Sequence, residues 1–251
     1  MTTSTLATET RAIDWPALAA ELSTTLRDVL ALAEIELPRD LARAEGVWKG
    51  TAATIETRAW RGDRIAYCRV ARVEGSGLAI GNLLCVPDPR LRADGAPLPI
   101  LGVDMVAIGE REAIVVADLS PLGSGNAAAA ARMSAALDAD PRVAGLPPIA
   151  DLPAWARESF SARAMAVRAG AALQPVAAAA VRRVVDAFAA LATEARADAS
   201  DPCAADDARR RYLERHREED NGLALLARIF GNEWARAYIR DVLFPDLAVR
   251  S

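Results

Sequence analysis

Residues 97–109 read "PLPILGVDMVAIG". Six apolar residues, Ile100, Leu101, Val103, Met105, Val106 and Ile108, surround one acid, Asp104. Side chains alternate faces along a strand. As a strand, this stretch puts Ile100, Gly102, Asp104, Val106 and Ile108 on one face and Leu101, Val103, Met105 and Ala107 on the other. Both rows are largely apolar, which predicts a strand covered on both sides. Burial disfavours a charged carboxylate, so Asp104 is expected to be paired, hydrogen-bonded or held protonated.

The period of two extends outward from this stretch. "VWKGTAATIETRAW" (47–60), "RIAYCRVARV" (64–73), "GLAIGNLLCV" (77–86) and "AIVVADL" (113–119) read as further strands. The links "RGD", "EGS" and "GERE" are too short for crossover helices, and only "PDPRLRADGAP" is longer. Neighbouring strands should therefore pair antiparallel as a meander. Helical patterns flank them. "DWPALAAELSTTLRDVLALAE" reads as a helix with Asp14 as N-cap and Pro16 in its first turn. After "DLSPLGSGN" come "AAAARMSAALDAD", "QPVAAAAVRRVVDAFAALATEARA", "DPCAADDARRRYLERHREEDNGLALLARIF" and "NEWARAYIRDVLF". The pattern predicts one α/β domain over residues 1–251, an antiparallel sheet covered by helices. "EARADASDPCAADDA" (194–208) is the weakest stretch and is expected to be an exposed connection.

Composition narrows the function. The 251 residues are 52% hydrophobic and 25% charged with a net charge of −4, as in an ordinary globular protein, and no global basicity points to nucleic acid. No apolar stretch reaches the ~20 residues of a membrane span, and the N-terminus lacks a signal-peptide pattern, so a cytoplasmic protein is expected. Cys68, Cys85 and Cys203 are scattered singly, without zinc spacing, and are expected to be reduced thiols. His216 is the sole histidine, which removes multi-histidine metal sites and any Ser-His-Asp triad not built on His216 itself. No heptad repeat or amphipathic interface helix stands out, and a monomer is expected.

Two strands near Asp104 carry similar oddities. Asn82 shares a face with Leu78, Ile80, Leu84 and Val86, and a buried amide needs partners. Tyr67 and Arg69 share a face of "RIAYCRVARV". One such residue is most simply a satisfied core group, or, for Arg69, a solvated one. Three successive strands with a polar group among apolar ones indicate a pocket on one sheet face.

The residues around that pocket resemble the ferredoxin-dependent bilin reductases. The anchors run in order: "LPRDLARAEG" (37–46), "LPILGVDMV" (98–106), "VADLSP" (116–121), "LPAW" (152–155), "FSARAMAVR" (160–168), "RYLERHREEDN" (211–221) and "FGNEWARAYIRDVLF" (230–244). The N-terminal helix and residues 122–150 and 169–205 match poorly. The resemblance implies a three-layer α/β/α sandwich that binds biliverdin IXα between the sheet and the C-terminal helices. It implies no flavin, nicotinamide or metal and no tightly bound cofactor. Electrons come one at a time from a 2Fe-2S ferredoxin, and the protein supplies protons to bilin radicals. That chemistry gives Asp104 a task, since a radical anion needs an acid within hydrogen-bond reach. The family's second acid falls on Asp220, in the charge-rich "REEDN" that would otherwise read as solvated. Expected substrate contacts are Tyr67, Arg69, Asn82 and Met105. Arg168 is a further candidate because arginine's fork suits bilin propionates and Lys49 is the only lysine.

Two departures bear on the product. The phycocyanobilin-forming branch has a histidine where this chain has Asn82, and a glutamate where the alignment places Arg69. That glutamate is linked to vinyl reduction. The changes point to 15,16-dihydrobiliverdin or phycoerythrobilin. A bilin carrier without reductase activity is the alternative. A domain binding some other hydrophobic ligand is the reading that sets the resemblance aside.

Overall fold

The computed structural model describes residues 13–109, 111–123, 126–198, 202–219 and 222–247. Its strands are β1 (Ala33–Ile35), β2 (Arg43–Trp48), β3 (Thr51–Arg61), β4 (Ile65–Gly75), β5 (Leu78–Pro87), β6 (Leu91–Ala93), β7 (Ala96–Pro97), β8 (Ile100–Ile108), β9 (Glu112–Ser120), β10 (Met165–Gly170) and β11 (Arg196–Ala197). Its helices are α1 (Trp15–Val29), α2 (Arg39–Ala42), α3 (Ala127–Asp138), α4 (Ala154–Ser159), α5 (Gln174–Glu194), α6 (Cys203–Glu219), α7 (Gly222–Phe230) and α8 (Asn232–Tyr238). The last continues into a wider π turn, Ile239–Leu243.

The main sheet runs β1-β3-β4-β5-β8-β9-β10, with β2 also on β3, and every pairing is antiparallel. The short links force this meander, as the sequence predicts. One expected strand is two. Residues 47–60 turn back at Lys49 and Gly50, which have φ of 49° and 83°, a two-residue hairpin turn whose positive φ values match the twist of its strands. Within the long link, Asp94 and Gly95 turn in the same way between β6 and β7.

Helices cover both faces, giving the three-layer α/β/α sandwich. α1, α3 and α5 pack on one face around Leu22, Met105, Val115, Val184 and Phe188. α6, α7 and α8 pack on the other around Ile55, Leu84, Leu213, Ile229 and Tyr238. α1 starts as expected: the Asp14 carboxylate accepts from the Ala17 N–H at 2.9 Å, and Pro16 sits in the first turn. It lies so close to β5 that a Cβ on Gly81 would stand 2.4 Å from the Trp15 carbonyl oxygen, so only glycine fits there.

Cys68, Cys85 and Cys203 are reduced thiols, as expected. Cys68 and Cys85 face each other across β4 and β5, both buried, and burial pushes the Cys85 thiol up. The stretch 194–208 is more than an exposed connection. β11 pairs with β6, and α6 begins at Cys203 and buries Asp206 against Arg209. Among the described residues, no helix is long and apolar enough to cross a membrane.

Candidate functional site

β8 presents its two rows to different surroundings. Leu101, Val103 and Met105 are buried under α1 and α5. Asp104, Gly102 and Val106 on the other row are only half-buried, so the expectation of a strand covered on both sides is corrected. The open region has a clear boundary. On this face β3 and β4 are buried under the C-terminal helices through Ile55, Thr57, Ala59, Tyr67, Arg69, Ala71 and Val73. Beyond Asn82, on the Val106 side of β8, the covering ends. Val106, Ile114, Val116 and Ala166 form a half-exposed apolar strip across β8, β9 and β10, and Asn82 and Asp104 stand at its edge.

The polar groups at this edge form a chain. Asn82 is the cross-strand partner of Asp104, and its Nδ2 donates to Asp104 Oδ1 at 3.0 Å. Arg69 Nη1 donates to Asn82 Oδ1. The guanidinium is fully buried, and its Nε donates to the Leu243 carbonyl at 3.2 Å. The Phe244 ring lies 5.7 Å from Arg69 Cζ, within cation–π range. Tyr67 reaches the same side because of a bulge. Register shifts between Ile65 and Tyr67, so Ile65 joins the core on the α1 and α5 side of the sheet while Tyr67 faces the C-terminal helices. Its hydroxyl donates to the Val242 carbonyl at 2.7 Å, and burial pushes its pKa up. Tyr67 is therefore a buried tether to the π turn.

The remaining candidates fall in different places. Met105 is fully buried on the opposite sheet face, which corrects its expected substrate contact; the alternation that puts Asp104 in the site puts Met105 behind it. Arg168 lies on the exposed edge strand β10, on Asp104's face. It forms a 3.3 Å ion pair with Glu112. Asp220 lies outside the described residues.

Two groups near the site escaped the sequence reading. Asp118 shares Asp104's face across from Gly102 and is buried. Burial raises its pKa, opposed by hydrogen bonds from Ser161 and Ser120. It accepts from the Ser161 N–H at 2.9 Å and the Ser120 hydroxyl at 2.7 Å, anchoring the turn between α4 and β10. The signal was the one used for Asp104, an acid within an apolar strand. His216 lies on α6 among aromatic rings: Tyr212 stacks on it at 4.0 Å, with Trp155 at 5.0 Å and Phe244 at 5.2 Å. Its Nδ1 lies 2.8 Å from the Tyr212 carbonyl oxygen, so Nδ1 carries the proton. The Tyr212 hydroxyl lies over Gly102, 3.5 Å from where a Cβ would stand, so α6 overhangs β8 beside Asp104.

A cavity of about 740 Å³ lies on the other side of the sheet, among β6, α3 and the end of α5. Its arginines are engaged: Arg132 with Glu194, and Arg92 and Arg196 with backbone carbonyls. Its acids, Asp94, Glu194 and Asp198, are exposed.

The profile of the family "Ferredoxin-dependent bilin reductase" matches residues 19–245. The chain belongs to that family. The bilin reductase is 30% identical over 234 residues to phycocyanobilin:ferredoxin oxidoreductase from Gloeobacter violaceus, covering 90% of this chain and 88% of that one. It is 31% identical over 220 residues to the protein of the same name from Synechococcus sp., covering 83% and 82%. Its fold matches the crystal structure of tomato phytochromobilin synthase in complex with biliverdin, with a TM-score of 0.79, 20% identity and coverage of 92% and 82%.

Proposed function

We propose that this bilin reductase reduces biliverdin IXα with electrons from ferredoxin, and that Asp104 protonates the bilin radical. The observation that carries the reading is the half-exposed apolar strip of Val106, Ile114, Val116 and Ala166 with Asp104 at its edge. A flat tetrapyrrole laid on that strip exchanges water for apolar contact and brings a ring edge to a carboxyl. Each reduced double bond takes two electrons and two protons. Ferredoxin delivers the electrons singly, a proton passes from Asp104 to the radical anion before the second arrives, and a second proton, drawn from solvent as is the one that reprotonates Asp104, completes the reduction.

The product is 15,16-dihydrobiliverdin or phycoerythrobilin. On the family resemblance, Asn82 and Arg69 fall where the phycocyanobilin-forming branch carries its histidine and vinyl-linked glutamate. Asn82 cannot donate a proton from an amide at useful acidity, and Arg69 is turned toward Leu243 and Asn82. The test is anaerobic reaction with reduced ferredoxin, followed by chromatography against bilin standards. Phycocyanobilin as main product overturns the reading of Asn82 and Arg69. Biliverdin bound without turnover establishes the carrier instead.

Two variants refine the site. Arg168→Leu should weaken biliverdin binding about tenfold, the effect of one charge-assisted pair. A propionate would replace Glu112 as its partner. An unchanged Kd in an absorbance titration removes Arg168 from the site. Asp220→Asn should still consume biliverdin but accumulate a two-electron intermediate, because Asp220 supplies a later proton. A wild-type product profile would return it to an ordinary solvated acid.

A further inference from the structure

Arg69 is a buried cation whose protein contacts point one way. A guanidinium only donates hydrogen bonds, so the Asn82 atom facing it must be the amide oxygen. That fixes the other end of the amide. Nδ2 faces Asp104 and donates to Oδ1 at 3.0 Å. In the protonated form that proton donation requires, the oxygen accepting this N–H bond is the carbonyl oxygen, so the acidic proton is carried on Oδ2. The direction of every bond in this chain is set at its buried end.

We propose that Arg69 is a positioning residue for proton delivery: by clamping the Asn82 amide it holds the Asp104 proton on Oδ2, where it is given to substrate. This rests on the reading of Asp104 as proton donor. Without a donor at position 69 the amide can turn over. Asn82 Oδ1 then accepts the Asp104 O–H, and the acid's proton is held between two side chains. The device depends on rigidity. Arg69 is tied to Leu243 in the π turn and lies against Phe244, so the clamp is built into the packing of the C-terminal helices on the sheet.

The test compares Arg69→Leu, Arg69→Lys and Asn82→Leu, alone and with Arg69→Leu, under single-turnover conditions with reduced ferredoxin. A buried arginine exchanged for leucine leaves no uncompensated charge, so the fold should survive. Arg69→Leu should slow decay of the bilin radical signal about tenfold, a fraction of the roughly 10²–10⁴ that a positioned general acid supplies, while the biliverdin Kd stays within about twofold. Lysine also only donates, and Arg69→Lys should recover most of the rate. In the Asn82→Leu background the Arg69→Leu change should cost nothing further, since its effect runs through Asn82. A wild-type radical decay in Arg69→Leu overturns the proposal, as does an equal further loss in the Asn82→Leu background. A loss confined to Kd makes Arg69 a binding residue and overturns it too. If Arg69→Leu does not fold, Arg69→Lys and Asn82→Leu decide alone: a wild-type rate in Asn82→Leu overturns it. The parent reading fails separately, when Asp104→Asn turns over like the wild type.

Discussion

Asp104→Asn is expected to bind biliverdin, accept the first electron and stop. Asparagine keeps the size of the side chain and an oxygen that can accept from Asn82 Nδ2, now 3.0 Å from Asp104 Oδ1. The apolar strip beneath the ligand is untouched, so the Kd should stay close to that of the wild type. What is lost is the acid. Removal of a positioned proton donor costs roughly 10²–10⁴ in rate, so biliverdin consumption should become barely measurable. Because electron delivery does not need Asp104, a bilin radical should persist, read by electron paramagnetic resonance after mixing with reduced ferredoxin without oxygen. Wild-type turnover removes Asp104 from the mechanism. Loss of binding without a radical makes it a substrate anchor instead.

The place of Asp104 on its strand was legible because the argument is local: one acid in a strand whose alternation is read directly. The antiparallel meander was legible for a similar reason, since three- and four-residue links leave strands no other way to pair. What needed register or helix docking was not. Cys68 and Cys85 become partners only once β4 and β5 are aligned. The Lys49–Gly50 turn was hidden because the sequence alternates on both sides of it and lacks the usual asparagine or aspartate. The apolar row of Val106 predicted burial, but polarity cannot say whether a face is covered by helices or by a ligand. His216 and Tyr212 reach the site only through the packing of α6, which no periodicity in β8 announces.

The second large effect concerns what holds α6 over the site. Asp206 and Arg209 form an ion pair at its first turns with both side chains nearly inaccessible, at 3% and 1% exposure, where solvent cannot screen the pair. Arg210 adds a 3.0 Å contact to the other Asp206 oxygen, and Arg209 Nη2 donates to the Leu247 carbonyl at 2.8 Å. Burial pulls the Arg209 pKa down, and Asp206 and Asp88 hold it up. The pair adds little net stability, because desolvation of two charges offsets their attraction. Removing one partner is another matter, since it strands a buried charge at a cost of about 3–5 kcal/mol. Asp206→Ala should therefore lower Tm by roughly 10 °C for a chain of this size. The double variant Asp206→Leu with Arg209→Met replaces the pair by apolar groups and should recover most of that loss. Thermal unfolding followed by circular dichroism reads both. Because Tyr212 lies one turn further along the same helix, over Gly102, Asp206→Ala should also weaken biliverdin binding, while the double variant should not. Equal stability of Asp206→Ala and wild type would mean that Arg209 finds solvent or another partner when released, and α6 would then be held by its apolar contacts through Leu213 alone.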